Sequence, residues 1–136
     1  MPNFEVFDKR AVPISSEPSV TLQWKGPISF NQAAYLALGK PLYLELLYDK
    51  DQKIIGLRPV KQHLPHAYPV RKQGQGNTYV VAGNAFMKHY NIDHKVSVRY
   101  AAQMLGDVLA VDLKQEGVEV TKNRTSLAMA TQAGSG

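Results

Sequence analysis

The chain has 136 residues, 44% of them hydrophobic and 20% charged, with a net charge of +5 and no cysteine. That length suits one domain with a real core, and the lack of cysteine excludes a disulfide framework and a thiolate metal site. Residues 1–10 lack the apolar segment of a secretory leader. The most apolar stretch, 42–48, is interrupted by Glu45 and is far shorter than the ~20 residues of a membrane span, so the expectation is a soluble cytoplasmic protein with no membrane partner.

Residues 1–19 hold three prolines and no sustained period, and read as an irregular arm. Val20, Leu22 and Trp24 alternate with polar neighbours, the period of a half-buried strand. Gly26-Pro27 breaks it and Ile28-Ser29-Phe30 resumes as a short strand. Asn31 is a good N-cap for a helix carrying Ala33, Ala34, Leu36 and Leu38, which Gly39 and Pro41 stop. Its apolar face is Ala34, Tyr35 and Leu38. Leu42 to Tyr48 and Ile54 to Arg58, around the polar turn 49–52, read as a hairpin. Residues 59–77, with three prolines and two glycines, read as a long connection.

A second pass resembles the first. Tyr79 to Val81 is a strand, Gly83-Asn84 opens a helix with Ala85, Phe86, Met87 and Tyr90, and 96–100 and 108–111 are strands. A slide of 51 places Ile28 on Tyr79, Phe30 on Val81 and Tyr35 on Phe86. Apolar positions match more than identities do, the pattern of a duplicated strand–helix–hairpin unit. The expected organisation is therefore a single domain over 20–113, made of pseudo-repeats 20–60 and 78–113 joined by a basic connector 61–77. A flexible tail over 114–136 follows.

The run Gly26-Pro27-Ile28-Ser29-Phe30-Asn31-Gln32-Ala33-Ala34-Tyr35-Leu36-Ala37-Leu38-Gly39 resembles the opening of AbrB/MraZ-type swapped-hairpin domains. Gly26, Ile28, Phe30, Leu38 and Gly39 occupy the pattern's positions, and the hairpin over 42–59 ends on a matching aliphatic-x-Pro. The resemblance implies an α+β fold, mostly β: a small barrel of interleaved hairpins from two units, as a monomeric pseudo-dimer or a homodimer. It also implies DNA binding and transcription regulation. The family's helix arginine is Tyr35 here, and its proline before the helix is Asn31.

Charge is concentrated in one block. From Lys53 to Arg99 eight basic residues face one acid, Asp93, a local +7. Residues 1–52 hold five basic and six acidic residues, and residues 100–136 three and four, so each flank sums to −1. Such a field attracts polyanions, nucleic acid first among them. The expected phosphate contacts are Arg58, Lys61, Arg71, Lys72, Lys88 and Arg99, with Tyr68, Tyr79 and Tyr90 interleaved for base stacking. The alternative is an interaction or assembly module whose basic surface meets an acidic partner protein.

The four histidines, His63, His66, His89 and His94, have only Asp93 as a nearby acid. Two of them sit in a proline-containing loop that does not converge them, and His89 reads as a half-buried core position, so no metal is expected. No nucleophile elbow, phosphate-cradling loop or paired carboxylates appear. The expectation is a non-enzymatic protein with no catalytic residues and no cofactor. Trp24, Phe30, Tyr35, Tyr43, Phe86 and Tyr100 read as core aromatics.

Overall fold

The structure, a computed structural model, describes residues 17–120. Within them run β1 (Ser19–Leu22), β2 (Ile28–Phe30), α1 (Gln32–Ala37), β3 (Tyr43–Asp49), β4 (Ile54–Val60), β5 (Ala67–Pro69), β6 (Arg71–Gln73), β7 (Thr78–Val81), α2 (Asn84–His89), β8 (Ser97–Ala101), β9 (Gln103–Leu105), β10 (Val108–Asp112) and β11 (Val118–Val120). The fold is α+β and mostly β. A six-stranded sheet has the order β11-β8-β1-β2-β7-β6, a five-stranded sheet the order β5-β3-β4-β10-β9, and every pairing is antiparallel.

Among the described residues the chain passes between the sheets four times, and at two of these passages a single residue separates the strands. At Val70, between β5 and β6, the N–H donates to the Leu42 carbonyl at 2.9 Å. At Ala102, between β8 and β9, it donates to Pro18 at 3.1 Å. Each residue therefore stays hydrogen-bonded while its strand turns the corner.

Alternation sorts the side chains. Val20, Leu22, Ile28, Phe30 and Val81 of one sheet, and Leu44, Ile55, Leu57, Leu109 and Val111 of the other, are buried in one hydrophobic core. Each such side chain taken from water contributes about 1.5–3 kcal/mol. Ala34 of α1, Leu38 just after it, and Phe86 and Met87 of α2 join that core. Asn31 caps α1: its Oδ1 accepts from the Ala34 N–H at 3.0 Å and from the Ser19 N–H at 3.1 Å, fastening helix to β1. The β1–β2 turn passes through Lys25 at φ 77° and Gly26 at φ 106°, a backbone that favours glycine. A Cβ on Gly26 would stand 2.8 Å from the Asn84 Cα, so the turn seats directly on the start of α2.

Two central pairings join residues at similar distances along the chain. Ser29 stands opposite Val80, its counterpart in the slide of 51, and Gly56 stands opposite Ala110.

Several expectations need correction. The stretch 61–77 is not a bare connection: it contains β5, paired with β3, and β6, paired with β7. Its prolines concealed this, because Pro69 ends β5 where no ladder donor is required. Residues 118–120 of the expected tail form β11 on β8, and Ser19 of the expected arm lies in β1. The rest of the arm to residue 16, and the tail from 121, lie outside the described residues. Trp24 is 41% exposed and not a core residue, because β1 ends at Leu22. His89 is exposed, since α2 turns Phe86 and Met87 inward. No helix among the described residues is long and apolar enough to cross a membrane.

Candidate functional site

The six expected basic residues do not share one face. Arg58 lies on the outer face of the five-stranded sheet and is spent on Glu45: Nε donates to Oε1 at 2.8 Å, and Nη2 stands 2.6 Å from the same oxygen. His66 Nε2 meets the other carboxylate oxygen. The Arg58 hydrogen bond first, and the His66 bond second, hold the Glu45 carboxyl below its ordinary range. This clamp ties the loop before β5 to β3 and β4, and it neutralises the Arg58 charge.

Lys61 and Arg71 lie near the start of β3, and Lys72 follows Arg71 on β6 with its side chain toward the opposite face of that strand. Tyr43 pairs with Val60 on one side and Pro69 on the other, so the residues just beyond, Lys61 and Val70–Arg71, flank Leu42. All three cations are exposed, and no carboxylate among the described residues pairs with them. Arg71 and Lys72 lie on β6, an edge strand bonded only to β7. Charged side chains on such an edge also keep it from pairing with another chain. Lys88 is exposed on α2.

Arg99 belongs elsewhere. The register aligns Val118, Arg99, Thr21, Ser29, Val80 and Arg71 in one row across the six-stranded sheet. Arg99 and Arg71 share this outer face, but four strand spacings, roughly 19 Å along the ladder, separate them. The Arg99 end is a concavity of about 490 Å³ lined by Ser19, Thr21, Ser29, Asn31, Thr78, Arg99 and Gln115, with Glu17 and Glu116 also in its wall. Gly117, just before β11, fits closely against Val98 and Tyr100 on the other face of β8 from Arg99, where a Cβ would stand 2.4 Å from Val98 Cγ1. Ser29 is 3% exposed, and its hydroxyl has no hydrogen-bond partner among the described residues.

The tyrosines expected to stack on bases are engaged in packing. Tyr79 stacks on Tyr35 with centroids 3.7 Å apart and planes 8° apart. Tyr90 meets Tyr48 at 5.0 Å and Phe86 at 5.2 Å, and Tyr68 packs against the core. His63 stands against Tyr43 at 5.3 Å, while His94 Nδ1 lies 2.8 Å from the Ile92 carbonyl oxygen. Among the described residues no three histidine or acid side chains gather as a metal-holding group.

The hydroxyl row was missing from the candidate residues read in the sequence. Its signal was present: Thr21 and Ser29 each sit between two apolar residues, which marks them as outward-facing. Pairing alone brings them beside Arg99. The outer face of the five-stranded sheet instead carries an apolar groove of about 360 Å³, lined by Leu47, Ile54, Gly56, Leu105, Val108 and Ala110. Comparison of the chain with protein-family models, with curated proteins and with solved structures found no match.

Proposed function

We propose that this is a non-enzymatic nucleic-acid-binding protein that holds phosphates at the corner formed by Lys61, Arg71 and Lys72, in the manner of a DNA-binding regulator. The observation that carries the reading is that these three exposed cations lie on the two segments that flank Leu42, where the chain passes from β5 to β6, with no carboxylate among the described residues to neutralise them. Phosphate contact by lysine and arginine supplies affinity for any duplex sequence. Within this reading the two strand–helix–hairpin units form a swapped-hairpin pseudo-dimer, supported by the Ser29–Val80 and Gly56–Ala110 pairings. The chain then works as a monomer, which light scattering during size exclusion tests.

Fluorescence anisotropy with a random-sequence duplex checks the binding. Three phosphate contacts predict an affinity loss of roughly 40-fold between about 50 mM and 200 mM salt. Replacing Arg71→Gln and Lys72→Gln together flattens the logarithmic salt slope by about 1.8. Absence of binding at low salt rejects the proposal. A second reading, docking of an acidic partner protein, is favoured by Leu42, which is 70% exposed between these cations. A nuclease-resistant complex that depends on Leu42 and on the same cations would establish it.

A further inference from the structure

We infer that the concavity on the outer face of the six-stranded sheet binds a small polyhydroxylated molecule carrying one oxyanion group, a sugar phosphate or a sugar acid. The oxyanion sits between Arg99 and the hydroxyls of Thr21 and Ser29. Three observations converge on this site. Arg99 is exposed and no carboxylate among the described residues pairs with it, so its planar fork is free for an oxyanion. Its cross-strand neighbours in register are Thr21 and then Ser29, which puts two hydroxyl donors in the same row. Ser29 lines the cavity, is 3% exposed and has no hydrogen-bond partner for its hydroxyl among the described residues. An acceptor bound in the cavity can take the hydrogen bond this hydroxyl has to give.

The wall chemistry sets the class of ligand. Glu17 and Glu116 bring two carboxylates against one guanidinium. Their repulsion disfavours a polyanion such as nucleic acid more than a ligand with a single oxyanion group, and carboxylates accept hydrogen bonds from sugar hydroxyls. A volume of about 490 Å³ lies within the ordinary range of small-molecule sites. The site is thus separate from the Lys61–Arg71–Lys72 corner, and the two proposals stand or fall independently.

Calorimetric titration of the full chain with ribose phosphate, glucuronate, uncharged ribose and inorganic phosphate tests the inference, with amide NMR shifts locating the site. Saturable binding of ribose phosphate or glucuronate is expected, with shifts at Thr21, Ser29 and Arg99, and the tighter of the two identifies the oxyanion. Arg99→Gln weakens it by at least about tenfold and Ser29→Ala by about threefold. Arg71→Gln, at the far end of the row, leaves it unchanged. Dispersed amide spectra of each variant separate lost binding from lost folding, and Arg99→Lys retains only part of the affinity because it lacks the fork. Binding that survives Arg99→Gln overturns the inference. So does inorganic phosphate binding as tightly as the sugars, or neither charged sugar binding.

Discussion

On the outer face of the six-stranded sheet the residues in register are Arg99, Thr21 and Ser29, whereas on that of the five-stranded sheet Leu47, Gly56 and Ala110 line up beside Ile54 and Val108. Both sheets bury an aliphatic inner face in the same core. The difference lies in what the second residue of each alternating pair is allowed to be. Core packing dictates the inward residue and leaves the outward one open to other demands. One outward face has become a polar concavity with an unpaired buried hydroxyl, and the other an apolar groove with Leu105 54% exposed at its edge. A face's chemistry is therefore a better guide to function here than the block of charge in the sequence, which the fold divides among several places.

The contrast between inner and outer faces is broken most severely at Phe30. Phe30→Ala removes a side chain 1% exposed and should cost about 3–5 kcal/mol in urea denaturation. Thr21→Ala, on the neighbouring strand's outer face, should stay within about 0.5 kcal/mol. An equal loss at the two positions would mean that the inward and outward assignments are wrong.

The clamp at the end of the apolar face gives a pH-dependent effect. Glu45 has its folded pKa lowered by Arg58 and His66, so its stabilisation is present above the unfolded value near 4.5 and is lost as pH falls through the folded value. Glu45→Gln should therefore lower the melting temperature at neutral pH, with the gap to the parent protein closing in acid. A gap that stays constant with pH would remove the charge from the explanation.

Asn31→Ala should cost about 1 kcal/mol by uncapping α1, with added loosening of β1 because the Ser19 N–H loses its partner too. Faster amide exchange at Ser19 as well as Ala34 is the signature. Smallest of all, Leu105→Lys should change stability by less than about 0.5 kcal/mol, since the side chain already stands in water. A large loss there would show that the groove is packed over in solution, and would erase the contrast between the two faces.

Much of this was legible in the residue order. The alternations at Val20–Leu22 and Ile28–Phe30, the hairpin around 49–52, the Asn31 cap and the short second helix depend on interactions within a few residues, and each appears where its local pattern predicts. β5, β6, β9 and β11 did not stand out, because each is a three-residue strand at a sheet edge, whereas β2, equally short, is interior and carries Ile28 and Phe30 into the core. They are strands by virtue of a neighbour's open edge and not of their own composition. Arg58 shows the same limit in the candidate site. Its charge was plain, but its pairing with Glu45, 13 residues away, depends on the register of β3 against β4.

The sequence by itself determined the inward alternation of the longer strands and of β2, where two short helices begin, and that positive charge collects in the middle of the chain. Tertiary structure alone decided that Arg58 is neutralised, that Lys61 and the segment leading to Arg71 flank Leu42, and that Arg99 stands beside Thr21 and Ser29. The physical reason is that alternation and capping are set by neighbours along the chain, whereas a site is set by strand order and register, which are fixed only when both sheets close on their common core.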